Sequence, residues 1–116
     1  MATLLDAQTR QITSIRDVLG LTEDDLARAL LVDRRTVQRW LAGATLPQAQ
    51  QRAGLDALER FVERLEATFG DPAAIRIWLE AESGYLGTLR PREVLLTGRI
   101  DALDRALDAL DAGIFV

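Results

Sequence analysis

Apolar residues recur along this chain at intervals of three and four, the spacing that places them on one face of an α-helix. The helices that this pattern predicts cover residues 2–18, 22–30, 34–43, 47–69, 72–81 and 100–112, with a short helix after Pro91. The alternation of apolar and polar residues that indicates strands does not occur. We therefore predict an all-α protein with a boundary at 43–47, which separates a helix-turn-helix domain (residues 1–45) from a C-terminal helical lobe (residues 46–116). The long helix 47–69 joins the two.

Several helix ends carry sequence signals of their own. Thr22 and Asp25 have the spacing of a capping box at the start of the second helix. Pro47 and Pro72 suit first helical turns, where a proline loses no hydrogen bond. Gly113 is the expected left-handed cap of the last helix, which redirects the residues after it.

The composition of the 116 residues excludes several kinds of chemistry, since the chain contains no cysteine, histidine, lysine or asparagine. It therefore offers no disulfide, no common zinc site, no thiolate and no imidazole. We expect a protein that is not an enzyme, without catalytic residues, bound metal or cofactor. No apolar run approaches the roughly 18 residues that cross a bilayer, and a signal peptide is not apparent, so we expect a cytoplasmic protein that does not bind membranes.

The stretch LTEDDLARALLVDRRTVQRWLAG (21–43) has the layout of two short helices around a turn. Apolar positions face between the helices, which leaves a polar outer face on the second one. Arginine can pair with guanine and glutamine with adenine in the major groove of DNA. The segment resembles the Xre-type helix-turn-helix of bacterial repressors, and its candidate DNA-binding residues are Arg34, Arg35, Thr36, Gln38 and Arg39. The alternative is that these side chains only keep the helix solvated.

Two residues of this segment bear on DNA binding. Leu31 occupies the turn position where such motifs often carry glycine, and Asp33 places a negative charge at the helix start, where a phosphate would approach. One such unit reads a half-site, so specific binding predicts a dimer or a larger assembly.

Charge is divided unevenly along the chain, whose net charge is −4. Residues 1–53 carry seven arginines and six acidic residues, whereas residues 54–116 carry seven arginines and twelve acidic residues. The N-terminal part is therefore close to neutral and the C-terminal part is strongly acidic. This difference predicts two partners of different kinds.

The last three residues, Ile114, Phe115 and Val116, are all apolar. Burial of such a side chain contributes about 1.5–3 kcal/mol, so either the protein's own core or a partner's pocket should receive them. They follow closely on the cap at Gly113, and this short distance favours a partner. The apolar seam of the last helix, formed by Ile100, Leu103, Leu107 and Leu110, packs as ordinary core in the simplest interpretation.

Four elements of the C-terminal half occur in a characteristic order: WL (78–79), YLG (85–87), RPREVLLTGR (90–99) and AGIFV (112–116). In this order and spacing they resemble the C-terminal domain of the Xre/MbcA/ParS antitoxins. The resemblance implies a type II antitoxin whose partner is a RES-domain toxin, an enzyme that consumes NAD, and whose C-terminal segment blocks the toxin's active site. The candidate toxin-binding residues are Tyr85, Arg90, Pro91, Leu95, Gly98, Gly113, Ile114, Phe115 and Val116.

The leading hypothesis is thus a protein inhibitor that also represses its own operon through operator DNA, as a homodimer alone or as a hetero-oligomer with the toxin. The alternative is an ordinary dimeric helix-turn-helix repressor with a C-terminal oligomerisation domain. Individual residues also have simpler interpretations. Tyr85 can pack on the core, Arg90 and Arg99 can pair with nearby acids, and Pro91 and Gly98 can serve as helix punctuation.

Overall fold

The helices follow the order that the hydrophobic pattern predicts. The computed structural model describes residues 4–113. Its helices are α1 (Leu4–Leu19), α2 (Glu23–Leu30), α3 (Arg34–Leu41), α4 (Ala49–Phe69), α5 (Pro72–Glu80), α6 (Pro91–Leu95) and α7 (Ile100–Asp111), with a 3-10 turn at Gly84–Leu86. Within this range there is no strand, and the prediction of an all-α fold is confirmed.

Helix α4, 21 residues long, lies at the centre of the packing. It contacts α1, α2, α5 and α7. Its buried face repeats at intervals of three and four and consists of Leu55, Leu58, Phe61, Val62 and Leu65. The sequence pattern predicts an inward stripe of these five residues and Phe69, and Phe69 is half-buried. None of the helices within residues 4–113 is long and apolar enough to span a membrane.

Helix α1 shares its buried face with both parts of the chain. Ile12, Ile15 and Leu19 are buried, and α1 contacts α3 as well as α4 and α5. The irregular segment 42–48 lies at the predicted domain boundary. Apolar residues from both sides of this segment belong to the same hydrophobic cluster.

The capping box at the start of α2 is confirmed, whereas the predicted start of α4 is wrong. The Thr22 hydroxyl accepts a hydrogen bond from the Asp25 amide at 3.0 Å, and the Asp25 carboxylate accepts one from the Thr22 amide at 3.1 Å. Pro47 lies outside α4, because Gln48 is extended and its amide donates to the Gln51 side chain at 2.9 Å. The side chain of Gln51 thus caps a helix that begins after Gln48.

Two arginines from the C-terminal part bind the carbonyl end of α1. Arg76 Nη2 donates to the Asp17 carbonyl at 3.0 Å, and Arg92 Nη2 donates to the Leu19 carbonyl at 2.9 Å. Arg92 also forms an ion pair with Glu80 on α5. The last carbonyls of a helix have no partner within that helix and carry partial negative charge, so guanidinium groups stabilise this end.

A third arginine fastens α7 to α4. Arg64 Nη1 donates to the Asp104 carbonyl at 3.1 Å, and Arg64 Nη2 lies 2.6 Å from an Asp108 oxygen and 3.2 Å from an Asp111 oxygen. Only 28% of the Arg64 side chain is exposed. The contact positions the C-terminal turns of α7, which lead to Gly113.

Replacement of Arg64 by alanine should destabilise the protein by about 1–2 kcal/mol, because three partners on α7 lose their donor. Arg60 lies one turn earlier on α4, is exposed, and forms no ion pair among residues 4–113. We expect Arg60→Ala to change stability by less than about 0.5 kcal/mol. Urea unfolding followed by circular dichroism measures the free energy of unfolding of both variants. Equal losses of stability in the two variants would contradict a stabilising contact of Arg64 with α7.

Candidate functional site

Helices α2 and α3 form the predicted helix-turn-helix segment. They pack against each other through buried Leu26, Ala27, Val37 and Trp40, as the sequence pattern predicts. The turn between them consists of residues 31–33. The shared core therefore fixes the orientation of α3 and of its outer face.

The turn has an unusual backbone at Leu31, whose φ of 58° lies in the left-handed region. Glycine adopts this region without the steric cost that a side chain incurs, which is why related turns often carry glycine. The Leu31 side chain is 78% exposed. A Cβ atom added at Gly98 would lie 3.3 Å from Leu31 Cγ and 3.2 Å from the Ala29 carbonyl oxygen. The turn of the helix-turn-helix segment thus approaches the turn between α6 and α7.

Four of the five candidate DNA-binding side chains are exposed on α3, namely Arg34, Arg35, Gln38 and Arg39. The fifth, Thr36, is half-buried, and its hydroxyl donates to the Asp33 carboxylate at 2.7 Å. Thr36 therefore supports the start of α3 through Asp33. The outer face of this helix is a basic surface.

Asp33 is the N-cap of α3. Its carboxylate accepts hydrogen bonds from the Thr36 amide at 2.8 Å and from the Thr36 hydroxyl. The Thr36 hydroxyl and amide, together with the charge of Arg35, lower the pKa of Asp33 below its usual value. The cap therefore remains negatively charged at neutral pH, next to the basic face of α3.

Two of the exposed α3 side chains are engaged by an acid on α2. Arg34 Nη2 lies 3.8 Å from Glu23 Oε1, and Gln38 Nε2 donates to the same oxygen at 3.4 Å. Arg35 and Arg39 form no ion pair or hydrogen bond of this kind within residues 4–113. The four side chains therefore differ in their availability to a partner, a difference that the sequence pattern does not indicate.

The candidate toxin-binding residues divide into a surface group and a buried group. Tyr85 in the 3-10 turn, Arg90 before α6 and Gly113 after α7 are exposed. Pro91 and Leu95 are buried, and Leu95 is completely inaccessible. These two residues shape the domain from within and cannot contact a partner directly.

The predicted left-handed cap at Gly113 is confirmed, and Gly98 has a similar backbone conformation. Gly98 has a φ of 79° between α6 and α7, and Gly113 has a φ of 77° after α7. Gly113 is therefore a left-handed residue at the place where the last helix ends. The three apolar residues that follow it, 114–116, lie outside the described residues.

A groove of about 440 Å³ beside the turn of the helix-turn-helix segment is lined by none of the surface group, whereas Tyr85 lines a smaller groove of about 320 Å³. The residues that line this smaller groove are Tyr85, Arg105, Asp108, Ala109 and Ala112. It lies between the 3-10 turn and the last turns of α7, which contact each other. Since Ala112 directly precedes Gly113, the smaller groove extends to the end of the last helix.

Two exposed apolar residues of the C-terminal part were not predicted as site residues. Ile77 is 71% exposed on α5, and Leu89 is nearly half exposed before α6. Ile77 lies outside the register of the buried stripe of its helix, which contains Ile75 and Leu79. An apolar residue out of register is a signal that could have identified Ile77 from the sequence.

The alternatives left open for the C-terminal residues are partly resolved. In the part of the chain that the structure describes, neither Arg90 nor Arg99 forms an ion pair, and Arg92 takes the structural role instead. On α7, Leu103 and Leu107 are completely buried while Ile100 and Leu110 are half-buried. The seam of α7 therefore packs as ordinary core, as the simplest interpretation predicts.

Comparison with known families covers this same C-terminal part. Residues 64–113 match the family described as "Antitoxin Xre/MbcA/ParS C-terminal toxin-binding domain". The C-terminal part of the chain is thus similar to the toxin-binding domain of the Xre/MbcA/ParS antitoxins. The match includes α5, the 3-10 turn, α6 and α7, and therefore every surface-exposed candidate from Tyr85 to Gly113. The resemblance predicted from the sequence elements is confirmed, and so is the expectation of a protein that is not an enzyme.

Proteins similar to this chain occur in mycobacteria. The mycobacterial cidal antitoxins MbcA of Mycobacterium bovis and Mycobacterium tuberculosis are each 26% identical over 98 residues, which cover 84% of this chain and 86% of the relative. A chain in the crystal structure of the M. tuberculosis MbcT–MbcA toxin–antitoxin complex has the same fold, with a TM-score of 0.68 and 22% identity. That similarity covers 99% of this chain and 100% of the other.

The charge on the α3 cap should make stability depend on pH. Because its folded-state pKa is lowered, Asp33 contributes stability above its unfolded pKa of about 3.9, and this contribution is lost as the pH falls through the lower folded value. Asparagine is a comparable N-cap without the charge. We expect Asp33→Asn to lower the Tm at pH 7, and the difference from the wild type to shrink as the pH falls below about 3.9. Thermal unfolding over this range measures the difference, and a difference that does not change with pH would contradict a charged cap.

Proposed function

We propose that this protein is a type II antitoxin that binds and neutralises a RES-domain, NAD-consuming toxin through its C-terminal part and represses its own operon through its N-terminal part. The observation that carries the proposal is the match of residues 64–113 to a toxin-binding domain. The similarity in sequence to MbcA, which extends over most of the chain, supports it. The protein would bind both the operator and the toxin in the cytoplasm.

The toxin-binding surface that we propose combines exposed apolar residues with the groove beside Tyr85. Tyr85 is 46% exposed, and this groove leads along α7 toward Gly113. Burial of exposed apolar side chains in a partner's pocket is favourable, because it removes them from water. Arg90 at the start of α6 adds a polar contact at the same end of the chain, while Pro91, Leu95 and Gly98 maintain the shape of the domain.

The apolar tail would enter the toxin's active site. Ile114, Phe115 and Val116 follow directly on the matched domain. A site that binds NAD must accept flat rings, and a phenylalanine side chain can occupy such a pocket. The acidic surplus of residues 54–116 would attract the antitoxin to a cationic site that normally binds NAD phosphates.

Replacement of Ile114, Phe115 and Val116 by serine should therefore weaken toxin neutralisation. Loss of two or more buried apolar side chains should lower the affinity for the toxin about 100-fold or more. Rescue of cells that express the toxin, together with NAD consumption by the purified toxin, measures the effect. The same variant should retain the wild-type Tm and DNA binding. Full neutralisation by the triple variant would contradict the insertion of the tail.

The basic face of α3 supports binding of operator DNA. Arg35 and Arg39 lie one turn apart on this helix and are exposed, so they can approach one groove or its phosphates together. The shared core with α2 holds them in a fixed orientation. Since one segment contacts only a half-site, we propose that a homodimer, or a hetero-oligomer with the toxin, binds the operator.

A double replacement of Arg35 and Arg39 by alanine should abolish specific retardation of the DNA upstream of the coding sequence. The dependence of binding on salt should decrease by about two units of log–log slope if both residues contact phosphates. A matched control replaces Arg52 and Arg60 by alanine, which changes the net charge equally but on α4 instead of α3. Equal binding by the two double variants would contradict the assignment of α3, and both should still neutralise the toxin if the fold is intact.

A further inference from the structure

Glu23, the first residue of α2, is the meeting point of three polar contacts. Its Oε1 lies 3.8 Å from Arg34 Nη2 and accepts a hydrogen bond from Gln38 Nε2 at 3.4 Å. Its Oε2 lies 3.9 Å from Arg16 Nη1 on α1. The Glu23 side chain is 30% exposed, whereas its neighbour Asp24 is fully on the surface and contacts none of these groups.

These contacts engage the side chains that the proposed function directs toward DNA. An ionised carboxylate only accepts hydrogen bonds, so Glu23 draws on the same donors of Arg34 and Gln38 that would contact a phosphate or an adenine edge. Its negative charge also lies at the basic face, where it opposes the approach of the DNA backbone. Arg35 and Arg39 lack such a partner among residues 4–113.

We propose that Glu23 competes with DNA for Arg34 and Gln38 and thereby sets which α3 side chains read the operator. This inference rests on the proposed DNA binding of α3. Arg35 and Arg39 make the first contacts. Arg34 and Gln38 contact DNA only at a sequence where the free energy of their new contacts exceeds the cost of their release from Glu23. Glu23 therefore lowers the affinity of α3 for DNA, because Arg34 and Gln38 must leave its carboxylate before they can contact a duplex.

A purely structural role for Glu23 would be to stabilise the start of α2 through the helix dipole. Asp24 and Asp25 lie in the same first turn and provide the same stabilisation, and Asp25 also forms the capping box. What distinguishes Glu23 from Asp24 is its contact with α3. The two residues therefore offer a matched pair for an experiment.

The experiment compares Glu23→Gln with Asp24→Asn in the full-length protein. Each change removes one negative charge from the same helical turn and keeps the shape of the side chain. Binding to the upstream operator fragment and to a scrambled duplex of equal length is measured by fluorescence anisotropy over a range of salt concentrations. Glu23→Gln should tighten binding to the operator about threefold to fivefold more than Asp24→Asn does, and its gain on the scrambled duplex should be no larger, because Arg34 and Gln38 need not leave Glu23 there.

A double-mutant cycle tests the stated partners. In a protein that carries Arg34→Ala and Gln38→Ala, the gain from Glu23→Gln should fall to the gain from Asp24→Asn. Equal gains for Glu23→Gln and Asp24→Asn in the otherwise wild-type protein would overturn the inference while DNA binding stands. Binding by Glu23→Gln where the wild type fails would support it. The absence of binding by the wild type and every variant, at the lowest salt, would overturn the proposed DNA-binding function and this inference with it.

Discussion

Burial of the apolar face of α4 is the interaction on which both candidate sites depend. Helices α1 and α2 from the N-terminal part and α5 and α7 from the C-terminal part all contact α4. Apolar burial is non-directional, so polar contacts are needed to fix how each helix lies on it. Arg64, Arg76 and Arg92 provide such contacts, because each binds a carbonyl oxygen on another helix. The basic face of α3 and the groove beside Tyr85 are held by this one arrangement.

The features that depend on local sequence could be predicted. The capping pair of Thr22 and Asp25, the left-handed cap at Gly113 and the buried seam with Leu103 follow from spacing within one or two helical turns. Pro47 was placed inside α4 because proline is compatible with the first turn. The competing hydrogen bond to Gln48 decided the start of the helix instead.

Long-range polar contacts could not be predicted from the sequence. Arg92 binds backbone carbonyls more than 70 residues away, and a carbonyl carries no residue-specific signal. The contacts of Glu23 with Arg34 and Gln38 depend on how α2 and α3 pack. The sequence shows only that Glu23 is one of three acidic residues in the first turn of α2. The burial of Leu95 could not be predicted from the motif either, since a motif residue can belong to a binding surface or to the core beneath it.

The shared position of α1 has a consequence for how such proteins can diversify. A new N-terminal half joined at 43–47 would need a first helix with apolar residues at the positions of Ile12, Ile15 and Leu19. Its final carbonyls would also have to meet the guanidinium groups of Arg76 and Arg92. Recombination between distant relatives would rarely satisfy both conditions, so the two halves are expected to change by substitution within an inherited pair.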